Sequence, residues 1–150
     1  MTTPAAALAD ADLVAVVIEN LRTDTDVVTA LTGSSTGSAV TQVTARNQPP
    51  YPHLRVLDPS GGDLRTGWLI SQMVQVEVLG DPDGSGGKAA LGRLARIVSG
   101  VLLAMPTALH VAGVPVVTAV EIPGGIGWSP EPGGQPRYVM TAMVTGHPPN

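Results

Sequence analysis

Apolar residues recur at steps of three and four between Ala5 and Leu21, with Leu13, Val16, Val17 and Leu21 on one side, and this period predicts a first helix. Asp10 or Asp12 stands where the helix dipole favours negative charge. Asp24 or Asp26 can cap a further short turn through Val27, Val28 and Leu31, which Gly33-Ser34-Ser35-Thr36-Gly37 then breaks. The period changes after that. Ala39 to Arg46 alternates and is rich in Val and Thr, the pattern of a strand. Asn47-Gln48-Pro49-Pro50-Tyr51-Pro52 cannot continue a ladder, because proline lacks the donor and restricts its predecessor, so a rigid corner leads into a second strand, His53 to Leu57.

Trp68 to Leu79 is the longest predicted strand. Ile70, Val74, Val76 and Val78 share one face, with Gln72 as the exception, and Ser71, Met73, Gln75 and Glu77 share the other. One face is then core, and the other meets solvent or a polar subunit contact. A flexible turn, Asp81 to Gly87, opens a helix over Lys88–Met105 whose Leu91, Leu94, Ala95, Val98, Val101, Leu102 and Met105 form a continuous stripe, with Pro106 ending it. Two closing strands, Val114 to Ile122 and Arg137 to Thr145, flank Pro123 to Pro136, a Gly- and Pro-rich stretch without periodicity. Such a loop is functional or held by a neighbour, and Trp128 is its candidate anchor. The order of elements predicts one α+β domain over residues 1–150. It is a mostly antiparallel sheet of about four to five strands with two helices packed on one face.

Composition narrows the function. The 150 residues carry a net charge of -4 with Lys88 as the only lysine, which gives a counterion-releasing nucleic-acid surface little to work with. No Cys is present, so disulfides and thiolate chemistry are excluded. No Phe is present either. The core must rest on Val, Leu, Ile, Ala and Met, and subunit contacts often make up for missing aromatic anchors. The start of the chain lacks a basic signal-peptide segment and continuous apolar runs are short, so a soluble, cytosolic protein with no membrane partner is expected.

No motif supplies a catalytic centre. A phosphate loop anchored on Gly87-Lys88 would need Gly at 82 and a hydroxyl at 89, where Pro82 and Ala89 stand. An EF-hand loop starting at Asp81 would need Glu at its twelfth position, which is Gly92. His53, His110 and His147 are scattered and read as surface or loop residues. No Gly-x-Ser-x-Gly elbow occurs, and the Asp24/Asp26 and Asp81/Asp83 pairs fit capping and solvation. A non-enzyme without metal or cofactor is expected. Arg93 and Arg96, three apart on the outer side of the long helix, read equally as a solvated face and as a contact for carboxylates of another subunit.

The order of elements resembles the tail terminator, or minor tail protein, family of long-tailed bacteriophages. The features that carry it are Leu13-Val14-Ala15-Val16-Val17, the Asp26-to-Leu31 turn, the Pro49-to-Val56 corner and strand, the strand from Trp68 ending Val76-Glu77-Val78-Leu79-Gly80, the helix Ala89 to Leu103, and the closing strands around Gly124-Gly125-Ile126-Gly127-Trp128. The resemblance implies a hexameric ring in the virion neck, assembled in the host cytoplasm. Such a ring caps the head-proximal end of the tail tube, ends its polymerisation and meets the head connector, with genome DNA crossing the lumen unbound. Its partners are then the tail tube protein, the connector and further copies of the chain, with the long loops ordered against neighbours. On this reading the contact residues are Trp128 with its loop, Asp63 and Arg65 in the turn Pro59 to Thr66, and Arg93 with Arg96. A head-closure or connector protein would share the charge and length but lean on β-barrel structure, which the Lys88–Met105 stripe speaks against. A small monomeric ligand-binding domain is the alternative from another class.

Overall fold

A computed structural model describes residues 3–84 and 87–149. The predicted first helix is two helices, α1 (Pro4–Asp10) and α2 (Leu13–Thr23). The break has a local cause. Asp12 is extended, and its carboxylate accepts hydrogen bonds from the amides of Val14 and Ala15 at 3.0 and 3.2 Å, so the residue that interrupts the period also caps the helix that follows. Asp24 repeats the device for α3 (Thr25–Thr32), with bonds of 3.0 and 3.2 Å to the amides of Asp26 and Val27.

The strand expected over Ala39–Arg46 shrinks to β1 (Val43–Thr44). Its predecessors turn instead, because Gln42 donates to the carbonyls of Leu31 and Pro52 at 2.9 and 3.1 Å while Ala39 and Val43 bury their side chains. Six more strands follow: β2 (His53–Leu57), β3 (Asp63–Thr66), β4 (Leu69–Leu79), β5 (Val116–Glu121), β6 (Ile126–Trp128) and β7 (Arg137–His147). Between β4 and β5 lie α4 (Lys88–Ala104) and a 3-10 turn over Met105–Thr107. The turn Asp81 to Gly87 contains Ser85 and Gly86, which lie outside the described residues.

The α+β expectation with a mostly antiparallel sheet holds, with finer division: four α-helices and seven strands among the described residues. The sheet runs β1-β2-β4-β7-β5, with β3 also on β4 and β6 also on β7. Both extra strands come from interruption. β2 pairs with Gln75 to Leu79 of β4 and β3 with Leu69 to Gln72, so they act as one long strand split by the turn at 58–62. On the far side β5 pairs with Met143 to His147 of β7 and β6 with Tyr138 to Met140, split by 122–125. Only β4 and β7, 11 residues each, run unbroken.

The apolar helix-facing positions form one core: Leu54, Val56, Ile70, Val74, Val76, Val78, Met140, Ala142 and Val144 pack with apolar residues of α2, α3 and α4. Gly146 on β7 is required by close approach, since a Cβ there would stand 2.5 Å from the Val116 carbonyl oxygen and 3.1 Å from Leu13. Lys88–Thr107 matches a membrane span in length and hydropathy, a feature that a search for continuous apolar runs misses. Here its Leu91, Leu94, Ala95, Val98 and Leu102 are buried in the fold. Among the described residues, no helix covers the opposite sheet face.

Candidate functional site

The five contact residues proposed from sequence fall at three separate places. Trp128 sits on β6 opposite Tyr138, their rings edge to face with centroids 5.0 Å apart. The Lys88 ammonium lies 4.9 Å from the Trp128 ring centroid, so the indole ties the start of α4 to the sheet edge while keeping part of its surface exposed.

Asp63 and Arg65 belong to β3. Their guanidinium–carboxylate pair is bidentate, at 3.0 Å from Nε and 2.9 Å from Nη2, and the Asp63 contact raises the Arg65 pKa further above its ordinary value. Arg65 also donates to the backbone carbonyls of Leu8 and Ala11, fastening the α1–α2 junction to the β3–β4 hairpin. Thr66 pairs with Leu69 across Gly67-Trp68, and Gly67 has φ 60° while Trp68 keeps a negative φ, the pattern of a type II′ turn. The stretch expected to be a turn over Pro59–Thr66 is therefore half strand. Its Asp-Leu-Arg-Thr sequence is too short and too charged to stand out.

Arg93 and Arg96 are exposed on α4, as expected. They line a groove of about 790 Å³ together with Asp24 at the cap of α3, Asp26 of α3, and Ile97 and Val101 of α4. Among the described residues neither arginine forms an ion pair.

The stretch from Pro123 to Pro136, expected to be functional or held by a neighbour, makes contacts within the subunit itself. It contains β6, and the Ser129 amide donates to the Arg137 carbonyl at 2.9 Å. Gln135 is buried, donates to the Gly80 carbonyl at 2.8 Å and accepts from Asn47 at 2.7 Å. Glu131 in this segment reaches Arg55 Nη2 at 2.9 Å and Arg137 Nη1 at 3.2 Å.

Those two arginines also hold Glu77, which is 1% exposed although the strand pattern puts it on the polar outer face. Arg55 Nε donates to its Oε1 at 2.5 Å, while Arg137 Nη1 and Gln75 Nε2 donate to Oε2 at 3.2 and 2.8 Å. The four charges cancel, and every Glu77 oxygen is bonded. The signal present in the sequence was Arg55 and Glu77 on facing strands of like parity, but Glu131 and Arg137 arrive from far along the chain.

Of the histidines, His110 is exposed in a loop, whereas His53 is fully buried on β2 with Nε2 2.8 Å from Thr44 Oγ1. The surface expectation fails there because the Pro-rich corner folds over the start of β2, and burial lowers the imidazole pKa. Among the described residues no three His, Cys, Asp or Glu side chains gather where they could hold a metal ion.

Exposed large apolar side chains cluster in two places, with Val40, Leu103 and Trp128 exposed singly elsewhere. Leu64, Trp68, Leu69 and Met73 lie exposed along the β3–β4 hairpin, and Leu109, Val111 and Val114 line the connection into β5, Leu109 being 94% exposed. Compared with known proteins, the chain matches no family model and no curated protein.

Proposed function

We propose that this chain is a structural subunit of the neck of a long-tailed bacteriophage, forming the terminator ring that caps the tail tube, ends its polymerisation and joins the tail to the head connector. The observation that carries this reading is the open apolar surface on the β3–β4 hairpin and on the loop before β5. The register places both at the same end of the sheet, since Ile70 of β4 faces Gly146 and Val116 of β5 faces His147. Apolar surface of this kind on a folded subunit marks contact with other chains. The order of elements described above supports the phage assignment, and the net charge of -4 suits a lumen that lets DNA pass without holding it. On this reading the chain acts by assembly, as a hexamer touching tube protein on one side and connector on the other, and catalyses nothing.

The test is deletion of the encoding gene from the phage that carries it, followed by electron microscopy of the induced lysate. Tubes of uncontrolled length, free of heads, are expected. Tails of normal length beside unattached heads would move the protein to the connector, and normal infectious particles would overturn the reading altogether.

A further inference from the structure

At one level the sheet is open on both sides. Along a single row, Asp63 of β3 faces Gln72 of β4, Gln72 faces Val144 of β7, and Val144 faces Val120 of β5. The next row reads Leu64, Ser71, Thr145, Ala119. β3 and β5 are thus the two rims of one four-strand section, and each has a strand neighbour on one side only. Elsewhere the rim is partly closed, since β2 is covered by β1.

We infer that the subunit associates head to tail by strand pairing, β5 of one copy adding to β3 of a second copy so that the antiparallel sheet continues across the boundary. Polarity is the first argument. β3 runs against β4, β4 against β7 and β7 against β5, so β3 and β5 run in opposite directions. A second copy set beside the first in the same orientation therefore presents β3 antiparallel to the free rim of β5, and the alternation of strand direction is unbroken. Length is the second. β3 has four residues, and β5 runs unbroken over Ala119, Val120 and Glu121 beyond its bulge between Val117 and Ala119.

The side chains fit the same pairing. Leu64 is 67% exposed on the face that carries no helix, and Ala119 on β5 shares that face, so the small residue of one copy leaves room for the large one of the next. The rims are short, carry Asp63, Arg65 and Glu121 and include the β5 bulge, but neither strand contains the Lys or Pro that most commonly blocks pairing at an open rim. A head-to-tail contact uses two different surfaces and closes into a ring when its rotation divides a full turn. A two-fold contact through one rim would leave the other open. The inference rests on the sheet alone, so it stands or falls separately from the phage assignment.

The test uses the absence of Cys from the chain. Leu64→Cys is combined with Ala119→Cys, and in a second variant with Glu121→Cys to cover both alignments on that face. Within one subunit β3 and β5 stand three strand spacings apart, about 14 Å, too far for a disulfide. Purified protein is oxidised with diamide and run on a non-reducing gel, with circular dichroism of the reduced variants confirming the fold. A ladder of multimers from a double variant is expected, with each single variant monomeric and a mixture of Leu64→Cys with its β5 counterpart stopping at dimer. Single variants that cross-link to themselves would overturn the head-to-tail arrangement in favour of a two-fold one. Double variants that both remain monomeric would overturn the pairing outright.

Discussion

Replacing Glu77 by Ala is expected to be far more damaging than replacing Glu131, although both glutamates bind the same two arginines. Glu77 is 1% exposed and accepts hydrogen bonds from Arg55, Arg137 and Gln75. Removing one member of a buried charge pair typically costs about 3–5 kcal/mol, because the partner is left charged and desolvated. Here the partner side chains retain 22% and 17% exposure and each keeps Glu131, so rehydration recovers part of that loss. The expected loss is about 2–3 kcal/mol for Glu77→Ala, against about 0.2–1 kcal/mol for Glu131→Ala, whose side chain is itself 22% exposed. For a domain of this size the first corresponds to a fall in Tm of about 4–12 °C. Urea unfolding followed by circular dichroism gives both values, and repeating it in high salt separates them, since screening weakens the outer pair and hardly touches the buried one. If Glu131→Ala destabilises as much as Glu77→Ala, or if Glu77→Ala stays within 1 kcal/mol of the parent, the assignment of Glu77 as the buried centre of the network is wrong.

Gly146→Ala is expected to lower stability by more than about 2 kcal/mol, since the new methyl meets backbone at Val116 and not a movable side chain; a melting temperature near that of the parent would refute this close approach. Val98→Asp should prevent folding by burying a charge in the stripe of α4, while Arg96→Glu, on the exposed side, should melt within about 0.5 kcal/mol of the parent; equal damage from both would mean that α4 is turned the wrong way. Burial lowers the His53 pKa below its ordinary 6.5, so the unfolded chain takes up this proton at a higher pH than the folded one. Stability from this source is complete above about pH 6.5 and declines as pH falls below that value. His53→Gln should make the fall in Tm between about pH 7.5 and 5.5 shallower, and an unchanged slope would remove His53 as a cause.

Long amphipathic elements were legible because their periods are dictated by burial on one side. α4 and β4 are the examples, each apolar on one side and matching its predicted boundaries within a residue or so. The break in the first helix was not, since the apolar steps continue across Ala11-Asp12 and only the capping geometry of Asp12 reveals a new start. β3 and β6 escaped for another reason. Each is held by its long neighbour, and Asp-Leu-Arg-Thr or Ile-Gly-Trp carries no pattern strong enough to announce a strand without that neighbour. The Glu77 cluster needs four side chains from β2, β4, β7 and the segment before β7, a coincidence that only tertiary structure creates. Among the candidate contact residues, Arg93 and Arg96 are exposed and form no ion pair among the described residues, whereas Trp128, Asp63 and Arg65 are engaged within the subunit.

The central pairing of β4 with β7 also sets a timetable for synthesis. Ser71 and Thr145, which meet across it, are 74 residues apart in sequence. At translation rates of about 5–20 residues per second, β4 leaves the ribosome roughly 4–15 seconds before the strand that completes it. Throughout that interval a nascent chain shows one side of its longest apolar strand without a ladder partner, while α2, α3 and α4 can already cover its inner face. Co-translational collapse onto the helices would cover the apolar face of β4 in that interval and leave only its ladder edge to wait for β7.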